Sequence, residues 1–241
     1  MFNLPKKIYL MRHLLSLGNV DVEKYNEIPD NKIPILNKTT EQNDYQNLLI
    51  KSTGIVTILE DRYKSDRLEV KNTSYLRTIQ TTDKLFQLTN IQITNTSSQN
   101  DTLLREIECK ENLTYLSEED RLKLVNSKKE FGNFFHRWTS GESEAMHYER
   151  CLTWWNSFRL DSVDKKDPAD LFLITHKGTI TNLLAILRTH RNTATYYSNI
   201  NNGSVIELTL HESCNRYEIT NVFVPDPIIE NLLLKTYIKN E

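Results

Sequence analysis

The chain has 241 residues, of which 38% are hydrophobic and 26% are charged, so it is long enough to bury a full core and has the composition of a globular protein. Its formal net charge of -2 excludes a global attraction to nucleic acid or to anionic membranes, and an anionic ligand therefore needs a local cluster of cations. Because no internal repeat or long low-complexity linker interrupts the chain, we expect a single domain over residues 1–241.

The cysteines and the N-terminal segment bear on where the protein works. Cys109, Cys151 and Cys214 are widely spaced, form no CxxC pair and have no zinc-ligand spacing, which favours free thiols in a reducing compartment. The first apolar run, residues 8–11, is too short for a signal peptide or a membrane span. We therefore expect a cytoplasmic protein without a membrane span, and its oligomeric state stays open.

Apolar periodicity, turn residues and capping signals divide the chain into strands and helices. In the first half of the chain they predict a strand over 8–11, an irregular loop over 19–40, a helix over 41–50, a strand over 68–70, a helix over 74–88, a strand over 91–93 and a loop over 101–115. In the second half they predict a helix headed by Ser117, a helix over 143–158, a strand over 171–175, a turn at Gly178 and a helix to 188. A hairpin of 204–210 and 217–224 and a helix over 228–237 follow. This alternation predicts an α/β fold, a three-layer α/β/α sandwich with a mostly parallel central sheet whose edge can be antiparallel.

Two of the predicted apolar strands end in a histidine. Residues 8–11 are followed by Arg12 and His13, and residues 171–175 are followed by His176. In open α/β sheets, binding sites form at the carboxyl ends of the strands, so these two histidines can face one another across one site.

Arginine and glutamate residues complete a set of groups suited to phosphoryl transfer. Arg77 lies just past the strand at residues 68–70, and two guanidinium groups, from Arg12 and Arg77, bind a phosphate well. Neighbouring cations also lower the pKa of a histidine from about 6.5, which leaves one nitrogen free to attack. A carboxylic acid must protonate the leaving oxygen, and Glu106 and Glu108 are both candidates for it.

Six short blocks resemble, in order, the motifs of the histidine phosphatase (phosphoglycerate mutase-like) superfamily. Residues 12–19 are similar to its R-H-G-E-S-x-x-N signature, and residues 73–81 to its S-P-x-x-R-A-x-Q-T segment. The other four are L-R-E at 104–106, G-E-S at 141–143, the strand ending in the second histidine at 174–176, and N-x-S at 202–204. The runs 134–138 and 212–217 look most like the fungal broad-range acid phosphatase branch.

The resemblance implies a phosphomonoester hydrolase that needs no metal or cofactor and acts on a small-molecule phosphate ester or a phosphoprotein. It also implies roles for eight residues: His13 as nucleophile, Arg12, Arg77 and His176 as ligands of the phosphoryl oxygens, Glu106 as general acid and then base, Ser16 and Asn19 in the phosphate loop, and Glu142 at the entrance. Four other histidines match no motif and are interpreted as structural or surface residues: His136, His147, His190 and His211.

The loops around these groups depart from the motifs. Leu14 and Leu15 replace glycine and glutamate after the first histidine, Lys177 replaces the glycine after the second, and Lys110 lies near the place of another glycine. A leucine at position 14 is expected to be strained and to crowd the anion, whereas Lys177 either crowds the loop or adds a cation. These changes leave open a catalytically silent module that binds a phosphorylated ligand or a partner protein. A mutase is a further alternative, although Gly18 stands where mutases usually carry tryptophan.

Overall fold

The computed structural model describes residues 3–21, 28–63, 68–89, 91, 101–107, 117–137, 141–163, 165–187, 200–211 and 213–239. Within these ranges, one sheet has the spatial order β2-β3-β1-β4-β5. Its strands are β1 (Lys7–Arg12), β2 (Leu68–Asn72), β3 (Asp170–Thr175), β4 (Val205–His211) and β5 (Arg216–Phe223). The strands come from the early, middle and late parts of the sequence, and the assignment of the whole chain to one domain stays a prediction.

The sheet is mixed, which corrects the expectation of a mostly parallel sheet. Strand β3 pairs in parallel with both β1 and β2, whereas β4 pairs antiparallel with both β1 and β5. The reason is the short connection between β4 and β5, since a tight hairpin can join only antiparallel strands. Asn215 in this turn has a φ of 52°, a conformation that asparagine tolerates better than most residues.

Helices surround the sheet. The α-helices are α1 (Leu17–Val20), α2 (Thr40–Ser52), α3 (Ile55–Arg62), α4 (Leu76–Leu88), α5 (Glu118–Phe135), α6 (Glu144–Asp161), α7 (Lys177–Leu187) and α8 (Pro227–Lys239). Ser117 and Ser143 cap α5 and α6 by accepting the backbone N–H three residues on. Within the described ranges, no helix is both long enough and apolar enough to cross a membrane.

Each face of the sheet packs against its own set of helices. On one face, Ile8 and Leu10 lie in a buried cluster with the aromatic side chains of α6 and the leucines of α7. On the other face, Tyr9 and Met11 pack with apolar residues of α2, α3 and α4. Alternate residues of β1 therefore point into two separate cores, which explains why this strand is apolar throughout and why the fold has three layers.

Several local predictions differ from the structure. Residues 55–62 form α3, which was not predicted because Gly54, with a φ of 73°, interrupts the apolar pattern that continues from α2. Helix α7 begins at Lys177 directly after β3, so Gly178 lies in its first helical turn and not in a separate turn. The predicted loop over 19–40 contains the end of α1 and a 3-10 turn, Asp30–Lys32. Ile91 is not in a strand, and residues 92–93 lie outside the described ranges.

Candidate active site

The register of the parallel strands brings the two histidines together. Arg12 is paired with Thr175, so the residues that follow, His13 and His176, leave the sheet side by side. The backbone N–H of His13 donates to the carbonyl of Thr175 at 2.9 Å, which holds the two strand ends together beyond the ladder. The imidazole rings lie 5.3 Å apart, centroid to centroid, and both are almost fully buried. The structure thus unites the two histidines that the sequence suggested.

The imidazole of His13 has a defined tautomer. Its Nδ1 lies 2.7 Å from the backbone carbonyl of Leu14, and since a carbonyl can only accept, Nδ1 carries the proton of the neutral ring. The side chain of Asn202 donates to the carbonyls of His13 and Leu14 at 3.1 and 3.3 Å and so fixes this loop. Burial lowers the pKa of His13 well below its usual value, and Arg77 and Arg12 lower it further. His13 is therefore neutral, with a lone pair on Nε2.

Two arginines flank His13, and each is anchored by oxygen acceptors. Arg12 donates through Nη1 to the carbonyl of Ile200 at 2.7 Å, while its Nε is buried without a partner in the described part of the chain. Arg77 donates to the backbone carbonyl and the carboxylate of Asp30 at 2.7 and 3.0 Å, and its guanidinium lies over the ring of Tyr75. Both guanidinium groups are thus held in place before any ligand binds, as an oxyanion site requires.

His176 is fully buried and presents one nitrogen without a partner. Its Nε2 lies 3.0 Å from the hydroxyl of Thr73, whereas its Nδ1 has no hydrogen-bond partner among the described residues. Burial lowers the pKa of His176 well below its usual value, and Arg77, His13, His147 and Arg12 lower it further. A buried polar atom without a partner is costly, so Nδ1 of His176 and Nε of Arg12 mark a place that suits an anionic ligand.

Glu106 lies within electrostatic reach of Arg77 and Arg12, and it rests against the start of α7. Its Oε1 accepts the backbone N–H of Ile107 at 2.9 Å, and the carboxylate also accepts the backbone N–H of Gly178. Burial raises the pKa of Glu106 above that of an ordinary glutamate, although these hydrogen bonds and the two arginines oppose the rise. Glu108, the other candidate acid, lies outside the described residues.

Gly178 packs closely against Glu106, a contact that the sequence pattern did not predict. A Cβ atom at this position would lie 2.5 Å from Oε1 of Glu106 and 3.3 Å from Cε1 of His147. The first distance is shorter than van der Waals contact allows, so the position excludes any side chain while Glu106 keeps its place. The motif has its glycine directly after the second histidine, whereas here Lys177 follows His176 and Gly178 comes one residue later. The spacing H-x-G in the sequence was therefore the signal from which this contact of Gly178 could have been predicted.

Ser16 and Asn19 stabilise the loop after β1 through each other. Oδ1 of Asn19 accepts from the backbone N–H and the hydroxyl of Ser16, at 3.0 and 2.8 Å, and from the side chain of Asn202 at 3.1 Å. The hydroxyl proton of Ser16 is therefore used within the loop. Asn202, which the sequence placed in a motif without a role, connects the loop after β1 to the segment before β4.

Glu142 lies among arginines and away from the cleft. Its carboxylate accepts from Arg105 at 2.8 Å and from both Nε and Nη2 of Arg150, at 2.9 and 2.7 Å. Arg150 also donates to the carbonyls of Leu103 and Arg105. Glu142 was expected at the entrance of the site. In the structure it instead holds, through these arginines, the segment that leads into Glu106.

A cleft of about 550 Å³ opens beside the reaction centre. Arg12 and Glu106 lie in its wall, and the other lining residues are almost all polar: Ile107, Lys128, His136, Glu144, His147, Lys177, Gly178, Thr181 and Asn182. His136 and His147, interpreted from sequence as structural or surface residues, thus lie in the cleft wall. Burial lowers the pKa of His147 to about 4, so it is a neutral wall residue near neutral pH.

The expectation that Leu14 is strained and crowds the anion is wrong. Apart from glycine, Asn215 alone has a positive φ among the described residues, so the backbone of Leu14 is in an ordinary conformation. Its side chain is fully buried in the core cluster that contains Tyr9 and Met11. There it packs against Gly203, whose φ is 79° and where an added Cβ would lie 3.4 Å from Cδ2 of Leu14. The leucine therefore fills the core below the loop.

Comparisons with known proteins agree with this geometry. Residues 56–222 match the family described as Histidine phosphatase superfamily (branch 1), and the chain belongs to this superfamily. The Phosphoglycerate mutase-like protein AT74H of Arabidopsis thaliana is 26% identical over 223 residues, which cover 87% of this chain and 74% of that protein.

Solved structures share the fold. The phosphoglycerate mutase of Bacillus anthracis has a TM-score of 0.54 at 13% identity, covering 95% of this chain and 96% of that one. A mycobacterial glucosyl-3-phosphoglycerate phosphatase in complex with inorganic phosphate has a TM-score of 0.55 at 13% identity, covering 91% and 98%. At this identity the similarity establishes a shared fold.

Replacing the buried leucine with the glycine of the motif should destabilise the protein. We expect Leu14→Gly to lower the free energy of unfolding by about 3–5 kcal/mol, since it leaves a cavity and frees the backbone. It should not raise kcat/KM. Urea unfolding and turnover of p-nitrophenyl phosphate measure the two effects. Leu122→Ala, at a side chain that is 61% exposed, is the control and should cost far less. A faster and equally stable Leu14→Gly variant would contradict the conclusion that Leu14 fills the core.

Adding one methyl group at Gly178 should displace the carboxyl group of Glu106. We expect Gly178→Ala to lower kcat by roughly 10- to 100-fold, within the range of a general acid's contribution, while thermal stability changes little because alanine suits a helix. In a Glu106→Gln background the same substitution should cost much less, because the acid is already absent. Equal losses in both backgrounds would show that Gly178 acts independently of Glu106.

Proposed function

We propose that this protein is a phosphomonoester hydrolase that acts through a phosphohistidine on His13 and needs no metal ion. The observation that carries the proposal is the hydrogen bond from Nδ1 of His13 to the carbonyl of Leu14, because it leaves the Nε2 lone pair as the nucleophile. Arg12 and Arg77 flank this ring with donors suited to a phosphoryl group, and the ring of His176 lies beside it.

The reaction consists of two displacements at phosphorus. In the first, Nε2 of His13 bonds to phosphorus while the bond from phosphorus to the leaving oxygen breaks, and Glu106 gives its proton to that oxygen. In the second, the Glu106 carboxylate takes a proton from water, the water oxygen attacks phosphorus, and the bond to His13 breaks. Inorganic phosphate leaves, and both His13 and Glu106 return to their initial protonation states.

The cleft supports a substrate with a polar or anionic leaving group. Glu106 lines the cleft, so the oxygen that it protonates, and the group attached to that oxygen, must enter it. Lys128 and Lys177 lie in the same wall, and Glu144 is the one carboxylate besides Glu106 among the described lining residues. A small-molecule phosphate ester with a second anionic group fits this charge balance better than an apolar ester. A phosphoprotein, a place in the fungal broad-range acid phosphatase branch and a cytoplasmic location remain proposals from the sequence.

The alternatives differ in what they would do with phosphate. The hypothesis of a silent binding module came from the replacement of two motif glycines by Leu14 and Lys177. Because Leu14 is buried in the core and does not crowd the site, Lys177 alone still supports that hypothesis. A mutase would return the phosphoryl group to a second substrate oxygen and not to water. The names of two relatives include phosphoglycerate mutase, so transfer between 2- and 3-phosphoglycerate is a necessary control in the assay.

The direct test is chemical trapping of the intermediate. After rapid mixing with ³²P-labelled phosphate ester and an alkaline detergent quench, wild type should carry acid-labile, alkali-stable label. His13→Ala should carry none, turn over no substrate and unfold at the same temperature as wild type. Label or full activity in His13→Ala would overturn the assignment of the nucleophile, and an unlabelled, inactive wild type would favour the silent module.

The pH dependence should follow from two opposite pKa shifts. The lowered pKa of His13 keeps the nucleophile neutral well below pH 6.5, and the raised pKa of Glu106 keeps the acid protonated above the range of an ordinary carboxyl group. Activity should therefore peak on the acidic side and fall as Glu106 ionises. Glu106→Gln should lose this basic limb from the pH profile of kcat and should slow phenyl phosphate more than p-nitrophenyl phosphate, whose leaving group needs no proton. Equal slowing of both esters would point to another acid.

Lys177 should recognise an anionic leaving group. The measured quantity is kcat/KM for 4-carboxyphenyl phosphate divided by kcat/KM for phenyl phosphate. We expect this ratio to be about 2- to 5-fold lower in Lys177→Gln than in wild type, the range of a partly exposed ion pair. Lys123→Gln is the control, because Lys123 pairs with Glu119 on the surface and does not line the cleft. An unchanged ratio would remove Lys177 from the set of substrate contacts.

A further inference from the structure

Two threonines connect His176 to the first turn of helix α4. The hydroxyl of Thr73 lies 3.0 Å from Nε2 of His176 and 2.9 Å from the hydroxyl of Thr78. All three side chains are fully buried. Thr73 directly follows Asn72, which pairs with Ile174 at the end of the parallel β2–β3 ladder, so the register brings Thr73 to the strand end that leads into His176, one position before it. The contact is therefore fixed by the fold.

The protons in this chain can be assigned one by one. The hydroxyl of Thr78 lies 2.9 Å from the carbonyl of Thr73 and 2.7 Å from that of Tyr75, and its single proton goes to these oxygens because carbonyls only accept. The contact between the two hydroxyls then needs the proton of Thr73. With that proton used, the Thr73 oxygen can only accept from His176. The neutral ring of His176 therefore carries its proton on Nε2.

This assignment has a consequence for anion binding. Nδ1 of His176 is the nitrogen that is buried without a partner in the described part of the chain, and in the Nε2–H tautomer it presents a lone pair. A lone pair repels a phosphoryl oxygen, so Nδ1 has to gain a proton before it can donate. We propose that the Thr73–Thr78 pair holds His176 as the Nε2–H tautomer, so that Nδ1 takes up one proton from solvent when an oxyanion enters the site.

The surroundings of His176 explain why this proton is absent before binding. Arg12 and His13 face the ring from the end of β1, Arg77 from α4 and His147 from α6, and all of them, together with burial, lower its pKa. A dianion among these groups reverses the local charge and favours the imidazolium. Thr73 and Thr78 are positioning residues in this scheme, since they touch neither substrate nor phosphorus.

Thr78 is the part of the arrangement that distinguishes this chain. When residues 73–81 are set against the segment S-P-x-x-R-A-x-Q-T, Thr73 stands at the serine and Thr78 at the alanine. With alanine at position 78, the proton of Thr73 would have no hydroxyl acceptor and could be donated to Nε2 of His176. The ring would then carry its proton on Nδ1 and could bind an oxyanion without taking up another.

The test reads the ring nitrogens of His176 directly. Long-range ¹H–¹⁵N NMR, assigned with His176→Gln, should show protonated Nε2 and unprotonated Nδ1 in free wild type. Saturation with tungstate, an oxyanion that stays fully deprotonated near neutral pH, should protonate both nitrogens. In Thr78→Ala the free protein should instead carry the proton on Nδ1.

A binding measurement completes the test. In a Glu106→Gln background, which removes the other acid, the affinity of the protein with Thr78 intact for tungstate should fall by about tenfold per pH unit above the pKa of His176. Thr78→Ala should weaken this dependence. Thr82→Val is the matched control, because the buried hydroxyl of Thr82 donates to the carbonyl of Thr78 and should leave the tautomer unchanged.

Two results would overturn the inference: a proton on Nδ1 of His176 in free wild type, or an unchanged tautomer in Thr78→Ala. The inference rests on the proposed function for its relevance to catalysis, yet it fails separately. A tungstate response without any phosphohistidine would sink the hydrolase proposal and leave the tautomer assignment intact. Hydrolysis through a phosphohistidine by a protein whose free His176 carries its proton on Nδ1 would support the hydrolase proposal and overturn the tautomer assignment.

Discussion

The site depends on one constraint, the parallel register of β1, β3 and β2. This register makes three neighbouring strand ends meet at the same edge of the sheet, where His176 is in ring contact with His13 and in hydrogen-bond contact with Thr73. A shift of one residue would turn the side chains of a strand to the opposite face. The alternating burial of Tyr9 and Leu10 in two different cores prevents such a shift, so the packing of the interior also secures the geometry of the site.

The charges around His13 are arranged for a ligand that carries the opposite charge. The whole chain has a net charge of -2, yet Arg12 and Arg77 stand beside two buried histidines. Burial lowers the pKa values of His13 and His176, and the two arginines lower them further, so holding these groups together is costly in the empty site. Because the donors are already anchored by carbonyls and a carboxylate, little reorganisation is needed when a phosphoryl group binds. Under the proposed function, the same preorganisation would stabilise the charge that develops during phosphoryl transfer.

Much of the site could be predicted from the sequence because its chemistry lies at strand ends. An apolar run that stops at a charged residue shows where a strand leaves the core, and this placed Arg12, His13 and His176 correctly side by side. What could not be predicted depends on side-chain direction. Glu142 turns toward arginines, and Leu14 turns into the core, because local backbone conformation decides which way each points.

The remaining differences have similar causes. Gly178 and Thr78 act through contacts with Glu106 and Thr73, which are distant in sequence, so no local pattern reveals them. The hairpin of β4 and β5, which makes the sheet mixed, was predicted from the sequence. Its position next to β1 was not, because the order of strands in a sheet depends on the whole chain.

The hydrogen bonds of Asn202 and Gly203 also constrain how the protein matures. Asn202 holds the carbonyl of a residue 189 positions earlier, and the backbone N–H of Gly203 donates to the carbonyls of Arg12 and His13 at 3.1 and 3.2 Å. During synthesis His13 emerges among the first residues, but these hydrogen bonds form only once the segment at residues 202–203, from the last fifth of the chain, has been made. A chain truncated before residue 202 therefore contains Arg12, His13 and His176 without the contacts that order the loop after β1.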